Sequence, residues 1–275
     1  VPAAKPFIAA CVQVTSGREI AANVARAGRL VKQARAAGAD FILLPEIVNI
    51  MEPKGSLLVE KLARSKDGGL KAFRALAAET GAWLLAGSLV VAGAAKGKLA
   101  NRSFLIDPKG RIKARYDKIH MFDVELAGGE SYRESKTYAP GKKAVTARLP
   151  WGRLGMTVCY DMRFPHLYRA LAQAGADYIS VPSAFTRPTG RAHWHVLLRA
   201  RAIETGCFVF APAQTGEHEG GRKTFGHSLI VDPWGEVLAD GGEEEGFVAA
   251  RIDPARVIEA RKQIPSLRHD RRFKV

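Results

Sequence analysis

The sequence predicts an α/β protein made of two related halves, with two sheets at the centre and helices outside. Three observations predict it. Short apolar strands alternate with segments of helical spacing along the whole chain. Several strands are continuous apolar runs, as in sheets covered on both faces. Two stretches of the first half return in the second: "GADFILLPE" (38–46) as "GADYISVPS" (175–183), and "FLIDPKGRI" (104–112) as "LIVDPWGEV" (229–237). Two sheets packed face to face, each covered by helices, bury such halves with internal pseudo-two-fold symmetry.

Each element follows from its local pattern. "FIAACVQV" (Phe7–Val14) reads as the first strand. The next segment has apolar residues at Ile20, Val24, Leu30 and Val31, the spacing of one helix face. "FILLPE" (Phe41–Glu46) is a short, fully apolar strand. A helix is expected over about Gly69–Thr80, then a strand in "WLLAGSLVV". "NRSFLIDPKGRIKARYDK" (101–118) reads as a hairpin turning at Asp-Pro-Lys-Gly. From Lys118 to Ala139 the chain is rich in Gly, Glu, Ser and His without a period, and reads as a loop. Pro165 suits the first turn of the helix "HLYRALAQAGA", and "RAHWHVLLRARAIE" reads as a further helix. No low-complexity linker interrupts the chain, so residues 1–275 are expected to form a single domain. The tail over about 262–275 is expected to pack on that body or on a partner subunit.

Composition narrows the classes. The 275 residues are 47% hydrophobic and 25% charged, ordinary for a globular protein. No apolar run reaches the roughly 18 residues of a spanning helix, so no membrane partner is expected. The stretch "VPAAKPFIAACVQV" has no signal-peptide pattern. Cys11, Cys159 and Cys207 have no CxxC spacing, which suits free thiols and a cytoplasmic location. The net charge of +15 comes from Lys and Arg scattered through every segment. There is no zinc-finger spacing, RNP motif or detached basic arm, so specific nucleic-acid binding is not expected. A basic enzyme with a small anionic substrate fits better. No phosphate-cradling loop or dinucleotide fingerprint is present, and no cofactor is expected. His193 and His195 in "HWH" do not share a helix face, so no metal is expected there.

Three reactive residues stand where strands end: Glu46 closes "FILLPE", Lys118 closes "RIKARYDK" and Cys159 closes "GRLGMTVC". Ligands of open α/β sheets collect beyond such strand ends. Taken singly, Glu46 reads as a solvated loop acid, Lys118 as the partner of Asp117, and Cys159 as a core residue. Taken together they have complementary chemistry. A free thiol titrates near 8.5, so a carboxylate can serve as its base. A lysine favours the thiolate and can hold a developing oxyanion. If the chain turns sharply after Cys159, the Tyr160 N–H can join that oxyanion hole. His120 or His227 can pair with the cysteine by residue type, but no local context favours either over Glu46. Trp194 and Phe225 read as pocket wall or core.

The segments "LLPE", "YDKIHMFD" and "GMTVCYDMRFP", in that order, resemble the carbon–nitrogen hydrolase (nitrilase) superfamily over nearly the whole chain. The resemblance implies a four-layer α-β-β-α sandwich, usually in a homodimer or larger homo-oligomer. It implies Glu46 as general base, Lys118 as oxyanion lysine and Cys159 as nucleophile. A further glutamate is implied before "YAPG", which places it at Glu134, with Glu125 and Glu130 as alternatives in the same loop. Longer stretches, among them "GGESYRES" and "GRKTFGHS", look like the branch of deaminated glutathione amidases and omega-amidases. That implies hydrolysis of the side-chain amide of an α-keto acid amide, to a carboxylate and ammonia, through a Cys thioester. Arg163, four residues past the cysteine, then reads as a bidentate carboxylate clamp or as the ion-pair partner of Asp161. Phe185 and Thr186 follow the next strand and can line the same pocket. The nearer alternatives are a nitrilase, an aliphatic amidase or an N-carbamoyl amidohydrolase. The distant one is a non-catalytic binding protein with a basic surface.

Overall fold

The computed structural model describes residues 4–65, 67–93, 97–126, 131–271 and 273–274. Two six-stranded sheets form its centre. The first runs in the order β16 (Gly246–Ile252), β1 (Phe7–Gln13), β2 (Phe41–Leu43), β3 (Trp83–Ala92), β4 (Leu99–Ile106), β5 (Ile112–Asp117). The second runs β8 (Val145–Leu149), β9 (Gly152–Met156), β10 (Tyr178–Ser180), β11 (Phe208–Ala211), β14 (Leu229–Val231), β15 (Val237–Asp240). Each sheet has one antiparallel edge strand, three parallel strands, then two antiparallel strands. Two short hairpins stand apart: β6 (Asp123–Glu125) with β7 (Ser131–Arg133), and β12 (Thr215–Glu217) with β13 (Lys223–Phe225).

The repeated sequences fall on equivalent places. "GADFILLPE" supplies β2 and "GADYISVPS" supplies β10, the middle parallel strand of each sheet. The Asp-Pro turns join β4 to β5 and β14 to β15. In each turn the aspartate caps two backbone N–H groups: Asp107 those of Lys109 and Arg111, Asp232 those of Trp234 and Glu236. Side-chain alternation sorts the layers. Ala9, Cys11, Phe41 and Leu43 join one core with Met156, Tyr178 and Phe210 of the other sheet. Phe41 and Phe210 meet edge to face at 6.0 Å across that interface. Ala10, Val12, Ile42 and Leu44 point the other way, onto Ala27 and Val31 of α1 (Ile20–Ala36) and Phe73 of α3 (Leu70–Thr80). Both faces of the strands are therefore buried, which is why they read as unbroken apolar runs.

The remaining helices are α2 (Gly55–Ser65), α4 (Pro165–Gln173), α5 (Arg187–Thr205) and α6 (Ala255–Gln263). Pro165 opens α4 as expected. Several features differ from the sequence reading, among them α6, β8, β11 and the β12–β13 hairpin, which it did not name. Residues 118–139 hold the β6–β7 hairpin, only three residue pairs long and half exposed, hence without an apolar period. Neither α2 nor β16 was expected. β16 returns from the end of the chain to pair with β1, a partnership no local pattern announces. In the tail, Arg169 and Gln173 of α4 hydrogen-bond Ser266 and Asp270, and Leu267 packs on the core. Among the described residues no helix is long and apolar enough to cross a membrane.

Candidate active site

Local backbone explains how each strand end presents its side chain. After β2 the chain runs tight against β3, where Gly87 stands; a Cβ there would fall 1.7 Å from the Leu44 carbonyl. That close approach turns Glu46 inward, and it is 4% exposed. Gln214 donates to the Glu46 carbonyl at 3.0 Å and fixes the same turn. Cys159 adopts φ 49°, a left-handed conformation costly for a residue with a side chain. Its N–H donates to Pro182 O at 2.9 Å, and a 3-10 turn, Cys159–Arg163, begins at once. Tyr160 is therefore the residue just past the sharp turn. Buried Asp161 ties this turn to the segment carrying Lys118. Its carboxylate accepts from Val158 N–H (2.9 Å), Tyr116 O–H (2.7 Å) and His120 N–H (3.0 Å).

The three strand ends converge. Lys118 Nζ lies 3.0 Å from Glu46 Oε1, and 3.0 and 2.8 Å from the two carboxylate oxygens of Glu134. Cys159 lies close enough to Glu46 for the carboxylate to act on its thiol. Burial pushes the Glu46 carboxyl up, but the Lys118 charge and hydrogen bond, the thiol and Arg222 outweigh it and hold Glu46 below its ordinary range. Burial alone would lower Lys118. The charges of Glu134 and Glu46 outweigh that and keep it protonated, well above its ordinary value. Burial raises Cys159, and the Glu46 charge raises it further, against a smaller opposing effect of Lys118. The resting state is thus a neutral thiol beside an ionised carboxylate and a lysinium. Such a set can transfer the thiol proton to Glu46 as the sulfur attacks, with Lys118 beside the charge that develops.

Glu134 opens a 3-10 turn after β7 and also accepts from Phe122 N–H at 2.7 Å. Glu125 instead pairs with Arg133 at the surface. Glu130 lies outside the described residues. Glu46, Lys118, Glu134, Cys159, Tyr160, Phe185 and Thr186 all line one cavity of about 540 Å³. Arg163 does not. Its guanidinium lies 5.4 Å from the Phe185 ring and 6.0 Å from the Tyr160 ring, behind both, with His193 Nδ1 at 3.2 Å. The alternative ion pair with Asp161 is not formed either, because Tyr116 and His120 occupy that carboxylate. His120 is stacked on Phe164 at 3.5 Å, and no histidine is among the described residues that line the cavity.

Two further residues enter the site. Asn101, on β4, donates to Glu46 at 2.8 Å and to Glu134 at 3.2 Å. It is a buried amide in a strand that also carries Arg102 and Ser103, so nothing in the sequence singled it out. Arg222, just before β13, lines the cavity. Its Nη2 donates to Ala184 O at 2.6 Å, and Ala184 N–H donates to Glu46 at 2.8 Å. Its Nε is buried with no hydrogen-bond partner, a costly state for a charged donor.

Comparisons with known proteins bear on the family and the fold. The Carbon-nitrogen hydrolase family profile matches residues 8–262. The deaminated glutathione amidase of Synechocystis sp. (strain PCC 6803 / GT-S) is 44% identical over 269 residues, covering 96% of this chain and 98% of that protein. The human omega-amidase NIT2 is 37% identical over 250 residues, covering 90% and 89%. The crystal structure of the C. elegans NitFhit protein superposes with a TM-score of 0.92 at 34% identity, covering 98% of this chain and 66% of that longer one. The family profile, matched from residue 8 to 262, makes the chain a member of the carbon–nitrogen hydrolase family.

Proposed function

We propose that the chain is a cofactor-independent thiol amidase acting on α-keto acid amides of the deaminated glutathione or α-ketoglutaramate type. One observation carries the mechanism: Glu46, Lys118, Glu134 and Cys159 share a single buried network that opens into the cavity. Glu46 takes the Cys159 proton as sulfur attacks the amide carbon. Lys118 and the Tyr160 N–H hold the tetrahedral oxyanion. Glu46 then protonates the leaving nitrogen, and a thioester forms. The same carboxylate deprotonates a water, which attacks the thioester carbon; the acid leaves and the thiol regains its proton. Glu134 and Asn101 position Lys118 and Glu46 throughout.

The nitrogen leaves as ammonia from α-ketoglutaramate. In deaminated glutathione the same carbonyl carries cysteinylglycine, so there the expected ammonia is replaced by a dipeptide amine. A cavity of about 540 Å³ has room for such a leaving group. Arg222, Lys223 and Arg133 line its walls, which supports an anionic substrate. Arg222, with its unpartnered Nε beside the reacting centre, is the proposed first contact for a carboxylate; Arg163 is the proposed outer cation, one ring behind Phe185 and Tyr160. The names of the Synechocystis and human relatives support the substrate class.

The surrounding reading follows the same lines. One domain over 1–275, a homodimer or larger assembly and a cytoplasmic setting are proposed with it. Val196 and Ile203 of α5, 67% and 52% exposed, support a partner subunit on that helix. Three buried free cysteines suit a reducing compartment.

The test is product release from four compounds: deaminated glutathione, α-ketoglutaramate, a neutral aliphatic amide and a nitrile. Cysteinylglycine or ammonia is measured beside 2-oxoglutarate, with Cys159→Ala as control. Turnover of a keto-amide, absent in the control, supports the reading. Turnover of only the neutral amide or nitrile discards the substrate class and keeps the thiol chemistry. Normal turnover by Cys159→Ala discards the mechanism.

A further inference from the structure

Beside α5, a second cluster of reactive side chains forms from residues that do not line the cavity. We propose that His195, His227 and Asp240 make a binding site for one borderline divalent transition metal ion of the Zn²⁺ or Co²⁺ kind. His195 and His193 do not face together on the helix, as their spacing required. His195 instead meets residues from two other elements, which no sequence spacing displays. His195 comes from α5, His227 from the segment before β14, and Asp240 from the end of β15. One donor atom from each lies within 4.8 Å of the others. The Asp240 carboxylate sits between the imidazoles, 3.0 Å from His195 Nε2 and 2.8 Å from His227 Nδ1.

Two of the donors are held by the fold and do not depend on each other for orientation. His227 has a left-handed backbone, φ 53°. Its N–H donates to Gly242 O at 2.6 Å, and its carbonyl accepts from Trp194 Nε1 at 2.7 Å. The Phe225 ring stacks on its imidazole at 4.5 Å. Asp240 Oδ1 accepts from Gly242 N–H at 2.9 Å, which fixes the carboxylate plane. The third donor, His195, is the adjustable one, on a helix face with its side chain 36% exposed. An ion enters from solvent and takes the place of the two imidazole–carboxylate hydrogen bonds. With the ion bound, each imidazole carries its proton on its other ring nitrogen. Two imidazoles and one carboxylate suit Zn²⁺, Co²⁺, Ni²⁺ or Cu²⁺ rather than Mg²⁺ or Ca²⁺. Three protein ligands leave a further position for water.

The Cys159 thiol is the competing ligand, and cobalt distinguishes the two. Co²⁺ and Zn²⁺ are titrated calorimetrically into the full chain, into Cys159→Ser, His195→Ala and Asp240→Asn. Absorption of the Co²⁺ form is recorded in each. Asp240→Asn keeps an acceptor for Gly242 N–H, and His195 is half exposed, so both variants are expected to fold. The expected result is one ion per chain, retained in Cys159→Ser, with no thiolate-to-cobalt band. His195→Ala and Asp240→Asn then each weaken binding by about tenfold or more. No binding, unchanged affinity in His195→Ala, or binding lost in Cys159→Ser with a thiolate band in the wild type, each overturns the proposal.

Discussion

Glu46 Oε1 accepts hydrogen bonds from both Lys118 Nζ, at 3.0 Å, and Asn101, at 2.8 Å. Its other oxygen accepts from Ala184 N–H at 2.8 Å. A carboxylate this well bonded is held as the anion, the form a base requires.

Glu46→Gln keeps the shape and removes the charge. It is expected to lower kcat by about 10²–10⁴, the usual worth of a general base, with the fold intact. Alkylation of Cys159 slows in the same variant, because the thiol then has no carboxylate to take its proton. Single-turnover acylation and iodoacetamide kinetics measure both. Alkylation as fast as in the wild type would show that Glu46 is not the base.

Cys159 sits at φ 49°, a conformation set by its place at the turn. Cys159→Ala keeps the strain of a Cβ in that conformation, and Cys159→Gly relieves it. Both variants are expected to be inactive, yet the Gly variant should be the more stable, by about 1 kcal/mol. Elsewhere in a folded element the order is the reverse. Denaturant midpoints of the pair decide it, and a less stable Gly variant would mean that the turn carries no strain.

Much of this site was legible in the sequence because its parts end strands. "FILLPE" closes on Glu46 after a run whose burial its own letters announce, and "GRLGMTVC" closes on Cys159 after a strand buried toward its end, whereas "RIKARYDK" closes on Lys118 after a half-exposed edge strand readable only from its hairpin turn. The two-halves architecture was legible for a related reason: both Asp-Pro turns cap themselves within five residues. What was not legible depends on distance along the chain. Asn101 reaches Glu46 across 55 positions and Glu134 across 33. Arg222 reaches Ala184 across 38. Arg163 looked like the cation of the pocket because it follows the nucleophile closely. The 3-10 turn, however, carries it behind the Tyr160 and Phe185 rings.

The proposed anion contact of Arg222 separates substrates by charge. Arg222→Ala is expected to raise KM for a keto-acid amide by tenfold or more, about 1.4 kcal/mol, and to change KM for a neutral amide far less. Part of any common fall in kcat comes from Glu46, which Arg222 helps to keep ionised. Comparing the two amides in the same variant cancels that part. Equal losses on both would remove Arg222 from substrate recognition.

His218 gives the cavity wall a dependence on acidity. It stands between β12 and β13, where its Nδ1–H donates to Ser16 O at 2.9 Å and its Nε2 accepts from Thr224 Oγ1 at 2.7 Å. Only the Thr224 bond needs the neutral ring; the bond to Ser16 O favours the charged one, and burial outweighs it. Burial is the main cause that lowers its pKa from 6.5 to about 4, with the Arg222 charge adding to it. Between those values the unfolded chain takes up a proton that the folded chain refuses. The stability is therefore complete above pH 6.5, falls as the pH drops toward 4, and changes no further below it. The loss is on the order of 3 kcal/mol. His218→Gln, which has a donor and an acceptor but no titration, should flatten the profile of Tm against pH over that window. The hairpin that His218 anchors also carries Arg222; the folded chain protonates His218 only near pH 4, so KM for a keto-acid amide should rise in the wild type only as the pH approaches 4, and stay level in His218→Gln. A variant whose Tm falls as steeply as the wild type would place the acid sensitivity elsewhere.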